Sequence, residues 1–305
     1  ARAAARRGMG RNERDGHGLF MRSWRPQTTT DGACLREKTP FVVYGWQWHH
    51  VAIVRELRRT CYLAERAQAA CCGRADVRKD AEGRAVVALM EALRFVIDDV
   101  WRVHDFVEER LLFPWIRMSF ASQASASRDP TQSRKVSALL RNFESQRREL
   151  RSTVEEINQR LDKRFRSLNS SSSASAQNVK TPARAMAPQS CEMFMRDIRG
   201  ELCGLTERTA RFYEREEHSL APTIAQRYDE AEQRRYNARV LNTLSFEDKR
   251  LSIVYFSEAL RKTEGKEHDA PPQSDYAYHS AREELIRAFW KEIPPFVQPL
   301  IPVWR

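Results

Sequence analysis

His104 and Glu108 stand four residues apart, so a helix running through them presents an imidazole and a carboxylate from one face. Side chains of these two types, projecting together into a helical core, are how such cores hold a metal ion. The phrase around them is His104-Asp105-Phe106-Val107-Glu108-Glu109-Arg110-Leu111-Leu112-Phe113-Pro114-Trp115-Ile116. It returns 108 residues later as Phe212-Tyr213-Glu214-Arg215-Glu216-Glu217-His218-Ser219-Leu220-Ala221-Pro222-Thr223-Ile224. Glu108, Glu109, Leu112, Pro114 and Ile116 land on Glu216, Glu217, Leu220, Pro222 and Ile224 at one constant offset. The second copy replaces the imidazole by Phe212 and keeps both carboxylates. A further imidazole, His50, sits upstream on the stripe Trp46, His50, Ile53, Leu57, Cys61, Ala64. That spacing turns His50 inward and leaves His49 on the flank. His218, two residues past Glu216, points to another face.

The duplicated H-x-x-x-E-E-x-x-L-x-P phrase, with His50 before it, resembles the hemerythrin-like (HHE) cation-binding family over roughly residues 42 to 225. The run from His50 through Leu57 is similar to the first-helix phrase of plant hemerythrin-like domains. The resemblance implies an up-down bundle of four antiparallel helices holding non-haem iron, as one ion or a pair, or another cation. It implies iron or oxygen sensing or storage as the role. The ligands it implies here are His50, His104, Glu108, Glu216 and Glu217. The family's di-iron centre uses more imidazoles than this chain offers: Phe212 removes one, and Gln146 and Arg147 stand where the third helix normally supplies its own.

Arg147 opens a second reading. A guanidinium stays protonated and has no lone pair to donate, so it cannot replace a ligand. It can replace the charge of an ion, by bridging Glu108 and Glu217 through forked hydrogen bonds. On that reading the chain binds no cofactor and serves as a metal-free interaction scaffold. A third and more distant reading is a basic module for anionic surfaces.

Apolar periodicity supplies the elements that position these residues. It predicts long amphipathic helices over about 41–72, 81–117, 131–168 and 191–228. The second carries Val86, Met90, Leu93, Ile97, Val100, His104, Val107, Glu108, Leu111 and Trp115 on its stripe. The third carries Leu140, Phe143, Arg147, Leu150, Val154, Ile157 and Leu161. The fourth carries Ile198, Leu202, Leu205, Thr209, Phe212, Glu216 and Leu220. Polar loops are expected at 119–130 and, flexible and Ser/Ala/Pro-rich, at 169–189. A shorter fifth helix starts at Ser245, a polar break covers 265–273, and a last helix spans about 275–292. The tail, 293–305, holds four prolines that argue against regular helix. Its Phe296, Leu300, Ile301, Val303 and Trp304 need a surface, either this domain or a protein partner. The expected organisation is a basic arm over 1–40, disordered or transit-like, then a hemerythrin-like helical domain over 41–262, then a C-terminal helix and tail over 263–305.

Composition narrows the classes. The 305 residues are 41% apolar and 30% charged with only 11 glycines, the make-up of a soluble helical protein. No stretch is long and apolar enough to span a membrane. The net charge of +11 sits in two patches: nine Lys/Arg against four Asp/Glu over 1–40, and eleven against six over 128–166. Along the third helix that charge alternates in sign, as on a solvated face, so nucleic acid is not indicated as a partner. Six cysteines show no C-x-x-C spacing and read as ordinary small residues in a reducing compartment, the alternative being a metal-binding or redox-sensing role for adjacent Cys71 and Cys72 at a helix end. That compartment is the cytoplasm, or an organelle interior if 1–40 is a targeting remnant. No catalytic triad, P-loop or dinucleotide fingerprint is present, so no enzyme class is indicated.

Overall fold

The computed structural model describes residues 40–71, 75–127, 131–174, 191–260 and 276–304, and within them every regular element is helical. The chain is all-α. Its helices are α1 (Tyr44–Ala70), α2 (Ala75–Arg94), α3 (Arg102–Val107), α4 (Phe113–Ser127), α5 (Thr131–Ala174), α6 (Cys191–Arg227), α7 (Glu230–Thr243), α8 (Phe246–Ala259), α9 (Tyr276–Glu292) and the single turn α10 (Ile301–Trp304). Among the described residues, no helix is long and apolar enough to cross a membrane. The expectations for the arm over 1–40, for 175–189 of the Ser/Ala-rich loop and for the break at 265–273 fall on residues outside those described, Pro40 excepted.

The second expected helix is one helical run from Ala75 to Ser127, interrupted by two π-helical turns, Phe95–Trp101 and Glu108–Leu112. Each inserts a residue into the 3.6 period and re-aims the side chains beyond it, a device concentrated at functional positions. His104 lies between them. The helix runs on through Ser127 where a loop was expected from 119, because Ser and Ala there satisfy helical geometry and Ser122 bonds back to the Met118 carbonyl. The third helix likewise extends past 168 to Ala174.

Cross-pairs fix how the long helices lie. His50 and Cys61 of α1 and Cys71 at its C-terminal cap meet Glu217, Cys203 and Cys191 of α6, so these two run antiparallel. Glu82, Asp105 and Arg117 meet Arg164, Arg151 and Glu144, so α5 runs antiparallel to the α2–α4 run. Arg160 with Glu201 and Gln146 with Arg215 set α5 against α6 in the same sense. The apolar stripes read from sequence face this common core: Ile53, Leu57, Leu93, Val100, Leu140, Val154, Ile198 and Leu205 are all buried. At about 1.5–3 kcal/mol for each fully buried large apolar side chain, this core is what holds the polar site in place.

Two C-terminal features differ from expectation. The chain between α6 and the fifth expected helix forms α7, started by a capping box between Asp229 and Glu232. Its Gln233 and Asn237 bond the backbone of Val42, and Gln233 also reaches Pro40, tying down the start of α1. The tail contains a 3₁₀ turn (Gln298–Leu300) and α10 despite its prolines, since a proline at the start of a helical turn loses no hydrogen bond. Ile293 and Ile301 are buried and Trp304 meets Phe246 edge-on, whereas Phe296, Leu300 and Val303 are exposed.

Candidate metal centre

Three helical segments deliver the polar residues to one place in the core. His50 comes from α1, His104 and Glu108 from the α3 region and Glu216 from α6, and none is more than 2% exposed. His104 Nε2 is 3.4 Å from Glu108 Oε1, and His50 Nε2 is 3.6 Å from both Glu108 Oε1 and Glu216 Oε2. One donor atom each from His50, His104 and Glu108 falls within 4.8 Å of the others. These separations are too long for hydrogen bonds. They are close to the spacing of about 3.4 Å between donors on a tetrahedron with metal bonds of about 2.1 Å.

The atoms left over point the same way. His50 Nε2, both ring nitrogens of His104 and both oxygens of Glu216 are buried and make no hydrogen bond. Buried polar groups are nearly always satisfied, and leaving one unsatisfied costs about 1–3 kcal/mol. A cation satisfies lone pairs and carboxylate oxygens together. Burial drives the His104 pKa well below its usual value, and neighbouring His50, His49 and Arg147 add to the effect. Burial likewise lowers that of His50, so both rings are neutral and keep a lone pair for coordination. Burial pushes Glu216 up to about 8 even though Arg147 opposes the shift, with Glu217 and Asp105 reinforcing it. The charge of Arg147 alone does not bring that carboxyl back to its ordinary range.

Glu217, a ligand candidate from sequence, is placed elsewhere. Its Oε1 lies 2.6 Å from His50 Nδ1 and its Oε2 accepts from Gln47 at 3.0 Å. It therefore sits at the opposite edge of the ring from Glu216. A carboxylate in that position holds the Nδ1–H tautomer and aims Nε2 inward. Tyr213 stacks on the same ring, 4.0 Å between centroids and 9° from parallel.

Arg147 is also in the core, 1% exposed, but not where a bridge from Glu108 to Glu217 would put it. It pairs with Glu108 Oε2, with Asp105 at 3.0 Å and with Glu109 at 3.0 Å, and lies over the Phe113 ring. The guanidinium takes one oxygen of Glu108, while the other faces His50 and His104 and accepts from the Trp46 indole at 2.6 Å. The expected partner Glu217 is instead occupied by His50 and Gln47. Phe212, at the echo's missing imidazole, packs edge-on against Phe143. His218 is exposed, as its spacing required.

Sequence reasoning missed four participants. Trp46 stands one turn before His50, which was a usable signal. Asp105 and Glu109, each next to a candidate ligand, reach Arg147 from the flank of the stripe. Tyr213 follows Phe212 and gave no signal of its own. His49 is buried rather than flanking, because α8 covers that side of α1: Tyr255 OH lies 3.1 Å from its Nδ1.

Comparison of the chain with models of known protein families, with characterised proteins and with solved structures yields no match.

Proposed function

We propose that the chain is an up-down four-helix bundle of the hemerythrin-like kind that binds one divalent non-haem metal ion, with iron the first candidate. His50, His104, Glu108 and Glu216 would hold the ion; Arg147 would supply the charge of a second. One observation carries this reading: the two oxygens of Glu108 divide between Arg147 on one side and the two imidazoles on the other. A carboxylate so placed bridges two positive centres, one of them built into the chain. The antiparallel pairing of α1, the α2–α4 run, α5 and α6 supports the bundle, and the duplicated E-E-x-x-L-x-P phrase supports the family. Nitrogen and oxygen donors in this mixture suit iron, manganese or zinc. Bound there, such an ion offers Lewis acidity and, if iron, one-electron redox chemistry suited to sensing or storage.

Thermal melts with added Fe(II) under anaerobic conditions, Mn(II) and Zn(II) test the reading. A ligand that binds only the folded state raises its stability by mass action, about 2.7 kcal/mol at a hundredfold excess over Kd. The melting temperature should rise with at least one of these ions and not with Mg(II), and His104→Ala should abolish the rise. No response to any ion would favour the metal-free scaffold, for which the pairing of Arg147 with Asp105, Glu108 and Glu109 is the specific support.

A further inference from the structure

The helices that meet across the candidate centre, α1 with His50 and α6 with Glu216 and Glu217, also carry four of the six cysteines. Cys61 is joined to Cys203 and Cys71 to Cys191, against the expectation of free thiols in a reducing compartment. The sequence showed no C-x-x-C because the partners lie 142 and 120 residues apart and meet only when α6 folds back along α1. Their Cα atoms are 5.8 and 5.7 Å apart, inside the range a disulfide spans. Moving along the seam from His50, the first bond lies eleven residues on and the second ten beyond it. At 1.5 Å per residue, the first is about 16 Å from the centre and the second about 31 Å. Both bonds thus act on the helix pair that carries His50 and Glu216, and from one side of them.

The bonds join helices whose apolar stripes already meet in one core. Their location gives them another use. The ligands are at most 2% exposed, so an ion enters or leaves only when the helices part locally. Cross-links between α1 and α6 confine that motion.

We propose that the two cysteine pairs are a redox modification site: oxidised, they clamp α1 to α6 and slow exchange of the bound ion; reduced, they free it. This rests on the cation-binding reading above. A peroxide is a sufficient oxidant. One cysteine thiol gives up its proton and the thiolate attacks a peroxide oxygen, breaking the O–O bond; a sulfenic acid forms, and the departing hydroxide takes up that proton as water. The second thiol's sulfur then displaces hydroxide, which leaves as water, and the S–S bond forms. Each pair loses two electrons and two protons, and one peroxide becomes two waters. A dithiol reverses the step by exchange. Cys61 and Cys203 are half-buried, whereas Cys71 and Cys191 are buried, so the pair nearer the centre is the first that reagents reach.

The test uses the full chain loaded with Zn(II), with release followed by a chromophoric chelator after treatment with peroxide or with a phosphine reductant. Non-reducing peptide mapping should show Cys61 linked to Cys203 and Cys71 to Cys191 after oxidation. Release should be about tenfold faster or more from the reduced protein, the scale on which losing support around a metal site changes affinity. The double variant Cys61→Ser with Cys203→Ser should lose most of the response, and reduction of the unaltered chain gives the same comparison without mutation. Free thiols after peroxide, or other pairings, would overturn the proposal. Equal release rates with Zn(II) bound in both states would overturn the clamp and leave the cation reading standing. Failure of either state to take up Zn(II), Mn(II) or Fe(II) would remove both.

Discussion

Replacing Arg147 by Met keeps an apolar stem, shortens the side chain and removes the guanidinium. Glu108, fully buried, and Glu109, about half exposed, lose their guanidinium, whereas Asp105, largely buried, keeps Arg151. Water screens Glu109, so its share is small. Breaking a buried ion pair from one side costs about 3–5 kcal/mol, because the remaining charge stays in the core. At about 2–4 °C for each kcal/mol in a domain of this size class, the metal-free melting temperature should fall by about 6–20 °C. Circular dichroism melts at pH 7 in the presence of a chelator read this directly. Arg147→Met combined with Glu108→Gln should lose less than the sum of the two single changes, since the pair is then removed from both sides. A melting temperature within about 2 °C of the unaltered chain would refute the reasoning, since it would mean that Arg147 offsets no more than an exposed charge does.

Glu217→Ala should weaken ion binding by about 10–100-fold in a competition titration, because His50 loses the carboxylate that sets its tautomer; unchanged affinity would show that Tyr213 and packing suffice. Burial, reinforced by His50, lowers the His49 pKa to about 3, and a depressed folded value contributes stability above the usual 6.5 that is lost as pH falls toward 3. His49→Gln should therefore flatten the acid limb of the metal-free melting profile between pH 6.5 and 4, and an unchanged limb would contradict the assignment. Glu216 acts with the opposite sign: its raised folded value contributes stability below about 4.5 that is lost as pH rises through about 8, so Glu216→Gln should raise the metal-free melting temperature at pH 8.5. Deleting 293–305 removes buried Ile293 and Ile301, worth about 3–6 kcal/mol together, and an unchanged melting temperature would mean that the tail packs on something other than this domain.

Much of the core was legible because its signal is local. Three- and four-residue spacing identified the inward faces of α1, the α2–α4 run, α5 and α6, and it placed His50, His104, Arg147 and Glu216 on those faces one helix at a time. The two π-helical turns were not legible, since a register shift inside a continuous apolar run leaves the residue types unchanged. Nor was α7, whose buried Gln233 and Tyr236 sit in a polar sequence with little apolar periodicity. His49 was misplaced for a related reason. A stripe describes one face of a helix, whereas α1 is covered on a second side by α8. The partner of Arg147 depended on helix rotation: Glu109 and Asp105 were nearer than Glu217, a distinction of less than one turn that spacing does not resolve. The cysteine pairs needed α6 folded back along α1, so no local pattern could announce them.

The most direct test of the central claim is the metal content of the chain, purified without chelator from cells supplied in turn with iron, manganese and zinc. Elemental analysis should find one ion per chain for the preferred metal and none in His104→Ala. Two ions per chain would mean that Arg147 does not occupy the place of a second charge. No ion under any supply would contradict the claim and leave Arg147 as the built-in cation of the cluster.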